Sequence, residues 1–153
     1  MKEKYASGVH LLAKIEMDHS TISIIRDGDL ALQRTVSYGV DGALDVMMNS
    51  PAFGEFRDEW RAFDRLRGKT CINTRLEDAE VPADMDPALE EARADVTESF
   101  RYLIGNISRI MDYYISRNPG VTFDSVDCCG LGAGVKGLAK LFSYELTLSL
   151  IHI

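Results

Sequence analysis

Residues 11–39 read LLAKIEMDHSTISIIRDGDLALQRTVSYG and contain three short runs that predict β-strands. In the first run one set of apolar residues alternates with a second set that is polar except for Leu12. The apolar set is Val9, Leu11, Ala13, Ile15 and Met17, and the second set is His10, Leu12, Lys14, Glu16 and Asp18. A period of two is typical of a half-buried strand. After a tight turn at residues 18–20, residues 21–26 form a β-branched run, and Asp27-Gly28 favours a two-residue hairpin because both central positions need positive φ. A third strand is marked by Leu30, Leu32, Val36 and Tyr38. The three runs predict an antiparallel meander.

A glycine-rich segment nearer the other end predicts a strand, a turn and a helix. Residues 125–141 read SVDCCGLGAGVKGLAKL, with a short buried strand expected at 126–129. The helix that follows carries one apolar stripe, made of Val135, Leu138, Ala139, Phe142 and Leu146. Glycines between a strand and a helix allow the backbone to approach a ligand or another strand. The pattern lacks the last glycine of the dinucleotide fingerprint and an acidic residue about 20 positions on, so a structural turn is favoured.

Composition limits the class of protein and its partners. At 153 residues, 46% of them apolar, the chain is long enough for the core of one compact domain or of two small lobes. The formal net charge of -7 argues against nucleic acid and anionic lipid as partners, because both bind basic surfaces. The apolar runs are too short to span a bilayer, so no direct membrane insertion is expected.

The three cysteines predict neither a metal site nor a disulfide framework. Cys71 stands alone, whereas Cys128 and Cys129 are adjacent, and neither spacing suits a metal or a set of disulfides. Neighbouring residues in a strand point to opposite faces, so the adjacent pair is expected to be buried on both sides of a sheet. Free thiols fit a reducing cytosol.

Three helices are predicted between the two segments. The first has an apolar face of Val40, Ala43, Leu44, Met47 and Met48, with Asp41 as its expected cap. Ser50-Pro51 opens a second helix that continues to Gly68, and its aromatic stripe of Phe53, Phe56, Trp60 and Phe63 is expected in the core. Another side of this helix carries Arg57, Arg61 and Arg65 among acidic residues, which predicts a solvated face.

The third helix is the longest. Residues 69–86 are acidic and contain proline, so they are interpreted as an exposed connection. Asp86-Pro87 then opens a helix that ends at Asn118, with apolar residues at spacings of three and four. A last strand is expected at residues 146–153.

No catalytic residue and no metal ligand is predicted. His10, His19 and His152 are scattered and show no metal-binding spacing. Asp18-His19-Ser20 contains the residue types of a catalytic triad, but adjacent positions in a hairpin cannot converge on one reacting atom.

The order of the predicted elements resembles one lobe of the actin, Hsp70 and sugar kinase superfamily. The implied fold class is α/β: one actin-like (ribonuclease H-like) lobe, with the three-stranded antiparallel meander in a mixed sheet, flanking helices and a helical insertion. The expected domain division places the sheet lobe at residues 8–49 and 110–153, and the inserted helical subdomain at residues 50–109.

Three motifs resemble the second half of PilM-type type IV pilus assembly proteins. LAKIEMDHSTISIIRDG at residues 12–28 is similar to that family's second phosphate loop, and ISRIMDYYISRNP at residues 107–119 is similar to a helix end with an L-D-Y-Y sequence. CGLGAGVKGL at residues 129–138 resembles the adenosine turn. The resemblance covers nearly the whole chain from Val9 onward.

The phosphate loop departs from the family pattern at two positions. Lys14 stands where the family has an aspartate that helps to order magnesium, and Glu16 stands where it has a glycine. A carboxylate repels phosphate oxygens, and a lysine cannot hold a metal. The resemblance therefore implies a vestigial nucleotide site, with the residues Ser20, Thr21, Gly130, Gly132 and Ala133.

The expected function follows from this resemblance. The first expectation is a non-enzymatic scaffold lobe of a type IV pilus or type II secretion assembly protein. No cofactor is expected in this chain, and binding of ATP and magnesium by a full-length parent is left open. Its expected partners are inner-membrane pilus or secretion subunits and a motor ATPase, which would place it in the cytoplasm, peripheral to the inner membrane.

Two other functions are compatible with the same superfamily. One is the ATP-binding lobe of an actin-like or FtsA-like ATPase, and a weaker one is a fragment of a sugar or carboxylate kinase. Because only the second lobe is implied, the chain is expected to be an excised domain rather than a single-lobe relative. The face that the other lobe would cover could then support a homodimer in concentrated solution.

Overall fold

A computed structural model describes residues 3–69, 71–72 and 86–151 of the chain. The strands are β1 (Val9–Ile15), β2 (Ser20–Arg26), β3 (Asp29–Val36) and β4 (Ser125–Gly130), and the α-helices are α1 (Asp41–Met48), α2 (Glu59–Gly68), α3 (Pro87–Arg117) and α4 (Leu138–Ile151). Two short 3₁₀ turns lie at Pro51–Phe53 and Leu131–Gly134. No helix within the described residues is both long enough and apolar enough to cross a membrane.

The four strands form one mixed sheet in the order β3-β2-β1-β4. Strands β1, β2 and β3 are antiparallel neighbours, which confirms the predicted meander, and β4 lies parallel to β1 on its other side. The hairpin between β2 and β3 turns at Asp27 and Gly28, whose φ angles are 52° and 88°. Positive φ at both positions is the requirement that made this dipeptide a hairpin signal.

One face of the sheet is buried and the other is largely open. Leu11, Ala13 and Ile15 of β1 and Ile22 and Ile24 of β2 are fully buried and belong to one continuous core with the helices. The opposite face carries the other set of alternating side chains. Its Leu12 and Ile25 are half-buried, and Leu30 of β3 is 59% exposed.

The long helix α3 matches its prediction closely. Asp86 caps it by accepting a hydrogen bond from the Ala88 amide at 3.0 Å, and Pro87 is its first residue, where the missing N–H costs nothing. Its buried stripe packs mainly against α1 and also meets α4 and β3. The helix ends before Asn118, where the chain turns toward β4.

The predicted helix of residues 51–68 is interrupted. The 3₁₀ turn ends at Gly54, whose φ of 88° is left-handed, and α2 starts only after Asp58, which accepts a hydrogen bond from the Arg61 amide at 3.0 Å. The aromatic stripe predicted from the sequence therefore does not lie on one helix. Phe53 and Phe63 are buried as expected, but Trp60 is 55% exposed, so its assignment to the core is wrong.

The arginines of this region do not share one environment. Arg57 and Arg61 are exposed, as predicted for a solvated face. Arg65 is half-buried, and its guanidinium carbon lies 5.9 Å from the centroid of the Phe53 ring. Arg65 is therefore a packing residue.

The predicted last strand at residues 146–153 is wrong, because α4 continues through Leu146 to Ile151. No glycine or proline interrupts the sequence after Leu138, so nothing stops the helix where the apolar run begins. Residues 152–153 lie outside the described part of the chain.

Three smaller expectations also need correction. Asp41 is the first residue of α1, and the N-cap is Val40, with no side-chain cap. Cys128 and Cys129 are half-buried instead of fully buried, because β4 is an edge strand of the described sheet. Most of the predicted acidic connection at 69–86 lies outside the described residues, but Cys71 and Ile72 within it are buried.

Candidate functional site

The candidate site lies at the carboxyl ends of the parallel strands β1 and β4. Pairing places Lys14 opposite Cys129 and Ile15 opposite Gly130. The chain leaves β1 into the turn toward β2, and it leaves β4 into the glycine-rich turn. The two segments that the sequence singled out therefore meet at one end of the sheet, which is where ligands bind in open α/β sheets.

Two glycines of the turn are in contact with the end of β1. Gly130 has a φ of 76°, and a Cβ placed there would lie 2.7 Å from the Ile15 carbonyl oxygen and 2.9 Å from Oε1 of Glu16. A Cβ on Gly132 would lie 2.5 Å from the Cβ of Ile15. Both positions require glycine for close packing within the protein. The Glu16 carboxylate lies directly beside the backbone of the turn.

The turn between β1 and β2 is clamped from behind by the start of α1. The Val40 amide donates to the Glu16 carbonyl oxygen at 3.0 Å, and the Asp41 amide donates to that of Met17 at 2.9 Å. Gly39 makes this approach sterically feasible, since a Cβ on it would overlap both carbonyl groups. The first amides of α1 are thus bound to protein carbonyls.

A small polar cluster occupies the open face at this end of the sheet. Nζ of Lys14 lies 3.7 Å from Oε1 of Glu16, and Cys129 is next to Lys14 on the neighbouring strand. Burial raises the pKa of the Cys129 thiol, the nearby Glu16 charge raises it further, and Lys14 opposes both. A thiol of raised pKa stays protonated at neutral pH and is a poor nucleophile.

The adjacent thiol is still less reactive. Burial raises the pKa of Cys128 to about 12, and the neighbouring Cys129 and Asp127 add to the effect. Neither cysteine of the pair therefore has the environment of a reactive thiolate.

Asp18 and His19 form an exposed pair at the tip of the β1–β2 turn. Nδ1 of His19 lies 2.7 Å from Oδ1 of Asp18, and this hydrogen bond lowers the pKa of the Asp18 carboxyl. Ser20 follows them in sequence, but its hydroxyl donates to the Tyr38 carbonyl oxygen at 2.6 Å on the buried side of the sheet. The three residue types of a triad are therefore not assembled.

The five sequence-predicted site residues do not share one environment. Thr21 lies opposite Lys14 on the same face as the polar cluster, and Ala133 is exposed in the glycine-rich turn. Ser20 is fully buried, and Gly132 is also buried. Gly130 is adjacent to Glu16. The structure brings the two segments together without bringing all five residues to one surface.

The contribution of Gly39 was not predicted from the sequence. From the sequence Gly39 was only the last residue of the segment 11–39, whereas in the structure it allows the contact between the β1–β2 turn and α1. The only available signal was a glycine after a strand and before a helix, which is common to many turns.

The described residues hold no cluster of three or more histidine, cysteine, aspartate or glutamate side chains that could bind a metal ion. Arrangements of this kind are the usual sign of a protein-held metal site.

No model of a known protein family matches the chain. No curated protein matches it either.

Solved structures do match it in fold. MreB5 of Spiroplasma citri bound to AMPPNP superposes with a TM-score of 0.62 at 16% identity, covering 94% of this chain and 47% of that one. The ADP-bound form of the same protein gives 0.63 at 15% identity, with 94% and 48% covered. A PilM-PilN type IV pilus biogenesis complex gives 0.65 at 13% identity, with 95% of this chain and 36% of the other covered.

These matches span nearly all of this chain but only about half, or less, of the structures concerned. At such identities the likeness concerns the fold alone. The mixed sheet with its antiparallel meander, its parallel fourth strand and its helices agrees with these neighbours, as the sequence predicted. The chain has the fold of one lobe of the actin-like ATPases.

Proposed function

We propose that this chain is a non-enzymatic scaffold lobe of an actin-like assembly protein, with a degenerate nucleotide site. The observation that carries the proposal is the position of Glu16. Its carboxylate lies against Gly130, at the point where the glycine-rich turn comes closest to β1. A fixed negative charge there opposes the approach of phosphate groups.

Other features of the site support the same view. Lys14 offers a cation but cannot coordinate magnesium, and it already lies 3.7 Å from Glu16. The Ser20 hydroxyl already donates a hydrogen bond to the Tyr38 carbonyl oxygen, and the first amides of α1 already donate to carbonyl oxygens of the β1–β2 turn. The residues present do not fit a nucleoside triphosphate with its magnesium ion, so no hydrolytic step is assigned to them.

The pilus assignment rests on the resemblance of the three motifs to PilM-type proteins and on the fold shared with the PilM-PilN complex. By analogy, the partners of this chain are inner-membrane pilus or secretion subunits, together with a motor ATPase, and its place is the cytoplasmic side of that membrane. The division into a sheet lobe at residues 8–49 and 110–153 and an inserted subdomain at 50–109 belongs to the same proposal.

The alternative function is an ATP-binding lobe of an actin-like or FtsA-like ATPase. It is favoured by one observation, namely that the two MreB5 structures with the same fold are bound to AMPPNP and ADP. This alternative requires the Glu16 side chain to move away from the turn before phosphate can approach.

Calorimetric titration of ATP with magnesium into the purified chain separates the two functions. We expect a Kd no tighter than about 1 mM for the unaltered chain. In the double variant Lys14→Asp with Glu16→Gly, we expect measurable binding, because the carboxylate beside Gly130 is removed and a potential magnesium ligand is added.

Glu16→Gln is the matched control, because it keeps the size of the side chain and removes its charge. If Glu16→Gln binds ATP, the negative charge of Glu16 excludes the nucleotide from the unaltered chain. If only the double variant binds ATP, the cause is the size of the Glu16 side chain or the missing aspartate. Tight binding by the unaltered chain would reject the scaffold proposal in favour of the alternative.

The exposed arginines before and within α2 are the proposed contact with partner subunits. Arg57 and Arg61 are exposed, while Arg65 packs near Phe53 and is left out of the contact. We expect Arg57→Glu with Arg61→Glu to weaken binding of a pilus or secretion subunit at least tenfold, about 1.4 kcal/mol. Surface plasmon resonance would measure it, with the exposed Lys140→Glu on α4 as the control. Unchanged affinity in the arginine variant would remove this surface from the proposal.

A further inference from the structure

One outward stripe of α3 combines exposed aromatic residues with separated charges. Its members recur at spacings of three and four and therefore share one side of the helix. They are Glu91, Asp95, Glu98, Tyr102, Asn106, Arg109, Tyr113 and Arg117. We call this set the α3 stripe. All eight residues are exposed except Asn106, which is half-buried.

The surface on and beside the α3 stripe is unusually aromatic for a solvated surface. Tyr102 is 58% exposed and Tyr113 is 47% exposed, and Tyr38, at 39%, stacks on Tyr102 with ring centroids 4.6 Å apart. These three make up half of the six large hydrophobic residues that are strongly exposed within the described chain. Exposed tyrosines with an apolar body and a polar tip are enriched at protein interfaces.

Two grooves flank the α3 stripe, one on each side of the helix. One, of about 620 Å³, lies between α3 and α1 and is lined in part by Tyr38, Gly42 and Val46. The other, of about 340 Å³, lies between α3 and β3 and is lined in part by Leu32 and Arg34. A ridge of side chains from a partner could enter both grooves.

The charges of the α3 stripe are divided between its two ends. The first half carries the acidic residues Glu91, Asp95 and Glu98, and the second half carries Arg109 and Arg117, with Arg34 beside them across the second groove. Such a pattern is complementary to itself when reversed. If two copies pack antiparallel about a point near residue 104, Glu98 faces Arg109 of the other copy and Glu91 faces Arg117.

The charged side chains of the α3 stripe make only surface contacts within the described part of their own chain, so they are available for interchain ion pairs. Nη2 of Arg109 donates to the amide oxygen of Asn106 at 2.9 Å, and Arg117 lies over the Tyr113 ring at 5.4 Å. Glu98 meets Arg101 at 3.3 Å on the solvent side, a surface ion pair that contributes little. An interchain pair could form without breaking a buried interaction.

We propose that the α3 stripe is a self-association surface on which a second copy of this chain docks antiparallel, with two-fold symmetry. Each charged pair then occurs twice, and Tyr102, with Tyr38 stacked on it, lies near the centre, as in an isologous interface. The stripe is about 40 Å long and one helix, about 10 Å, wide. The area of roughly 400 Å² per copy is half that of a standard interface, so the dimer should be weak and depend on concentration.

Sedimentation equilibrium over a wide range of concentrations tests the proposal. The chain has a mass of 17.0 kDa, and we expect the average mass to rise toward twice that value at high concentration and to fall again when salt is added. Glu98→Arg and Arg109→Glu should each weaken association at least tenfold, because each variant places like charges opposite one another in both pairs.

Mixing the two variants is the decisive arm. A Glu98→Arg chain facing an Arg109→Glu chain regains an attractive pair at both positions, so the mixture should dimerise as well as the unaltered chain. Glu55→Arg and Lys140→Glu are the matched controls, since both residues are exposed and lie off α3. Circular dichroism would show that all variants are folded.

Three results would overturn the proposal: a monomer at every concentration, a mixture that fails to dimerise, or variants that dimerise like the unaltered chain. Leu30→Lys on the open face of the sheet distinguishes the other surface. If Leu30→Lys abolished association while the α3 variants dimerised normally, the contact would lie on the sheet and the α3 stripe would be rejected.

Discussion

Replacing Gly39 with alanine is expected to lower the free energy of unfolding by about 3 kcal/mol, the upper end of the usual cost of overpacking. A Cβ at this position would overlap the carbonyl groups of Glu16 and Met17, which are backbone atoms and cannot rotate away. Relief requires the β1–β2 turn to separate from the start of α1. That movement would also lengthen the hydrogen bonds from Val40 and Asp41 to these carbonyls. Urea denaturation, monitored by circular dichroism, measures the change in the free energy of unfolding.

Gly42 provides the matched control three residues further on. A Cβ there meets no atom within 4 Å, and the position is inside α1. Gly42→Ala should therefore stabilise the chain by about 0.5 kcal/mol through helix propensity. If Gly39→Ala were as well tolerated as Gly42→Ala, the turn would not be clamped as described, and the candidate site would be free to rearrange.

Local periodicity explains why most of the fold could be predicted. The alternation in β1 is strict at Leu11, Ala13 and Ile15 because one sheet face is buried, and Asp27-Gly28 fixes the hairpin. The long helix was predictable from its Asp-Pro start and its continuous apolar stripe. These signals are local, and they agree with the tertiary structure.

The errors arise where local signals are ambiguous. In residues 146–151 a short apolar run suits a strand and a buried helix equally, and the preceding helix simply continues. In residues 51–68 the spacing of aromatic residues suggested one helix, but Gly54 adopts a left-handed conformation and Asp58 starts a new helix. Propensity alone could not rank these outcomes.

The candidate site was predictable only as two segments. Their residues predicted a strand-turn-strand segment and a glycine-rich turn, and a phosphate loop was implied only by the family resemblance. The parallel pairing of β1 with β4 brings the two segments together. The burial of Ser20 and the contact of Glu16 with the glycine-rich turn depend on residues distant in sequence, namely Tyr38 and Gly130. Such contacts have no periodic signature.

Gly132→Ala is expected to lower the free energy of unfolding by about 2 kcal/mol, within the range for small-to-large changes in a packed core. The added Cβ would lie 2.5 Å from the Cβ of Ile15, and its next neighbours, 2.8 and 2.9 Å away, are also atoms of that side chain. Ile15 is fully buried and β-branched, so it has few other rotamers to adopt. Thermal and urea unfolding both measure the loss.

Gly134→Ala, two residues later in the same turn, is the control for this prediction. Its Cβ would contact the flexible Arg67 side chain at 3.5 Å, an ordinary distance, so the change in the free energy of unfolding should stay within about 0.5 kcal/mol. A large difference between the two variants would mean that Gly132 is needed for packing on β1. Equal stability would instead mean that the turn has space beside β1, and that space would favour the nucleotide-binding alternative over the scaffold.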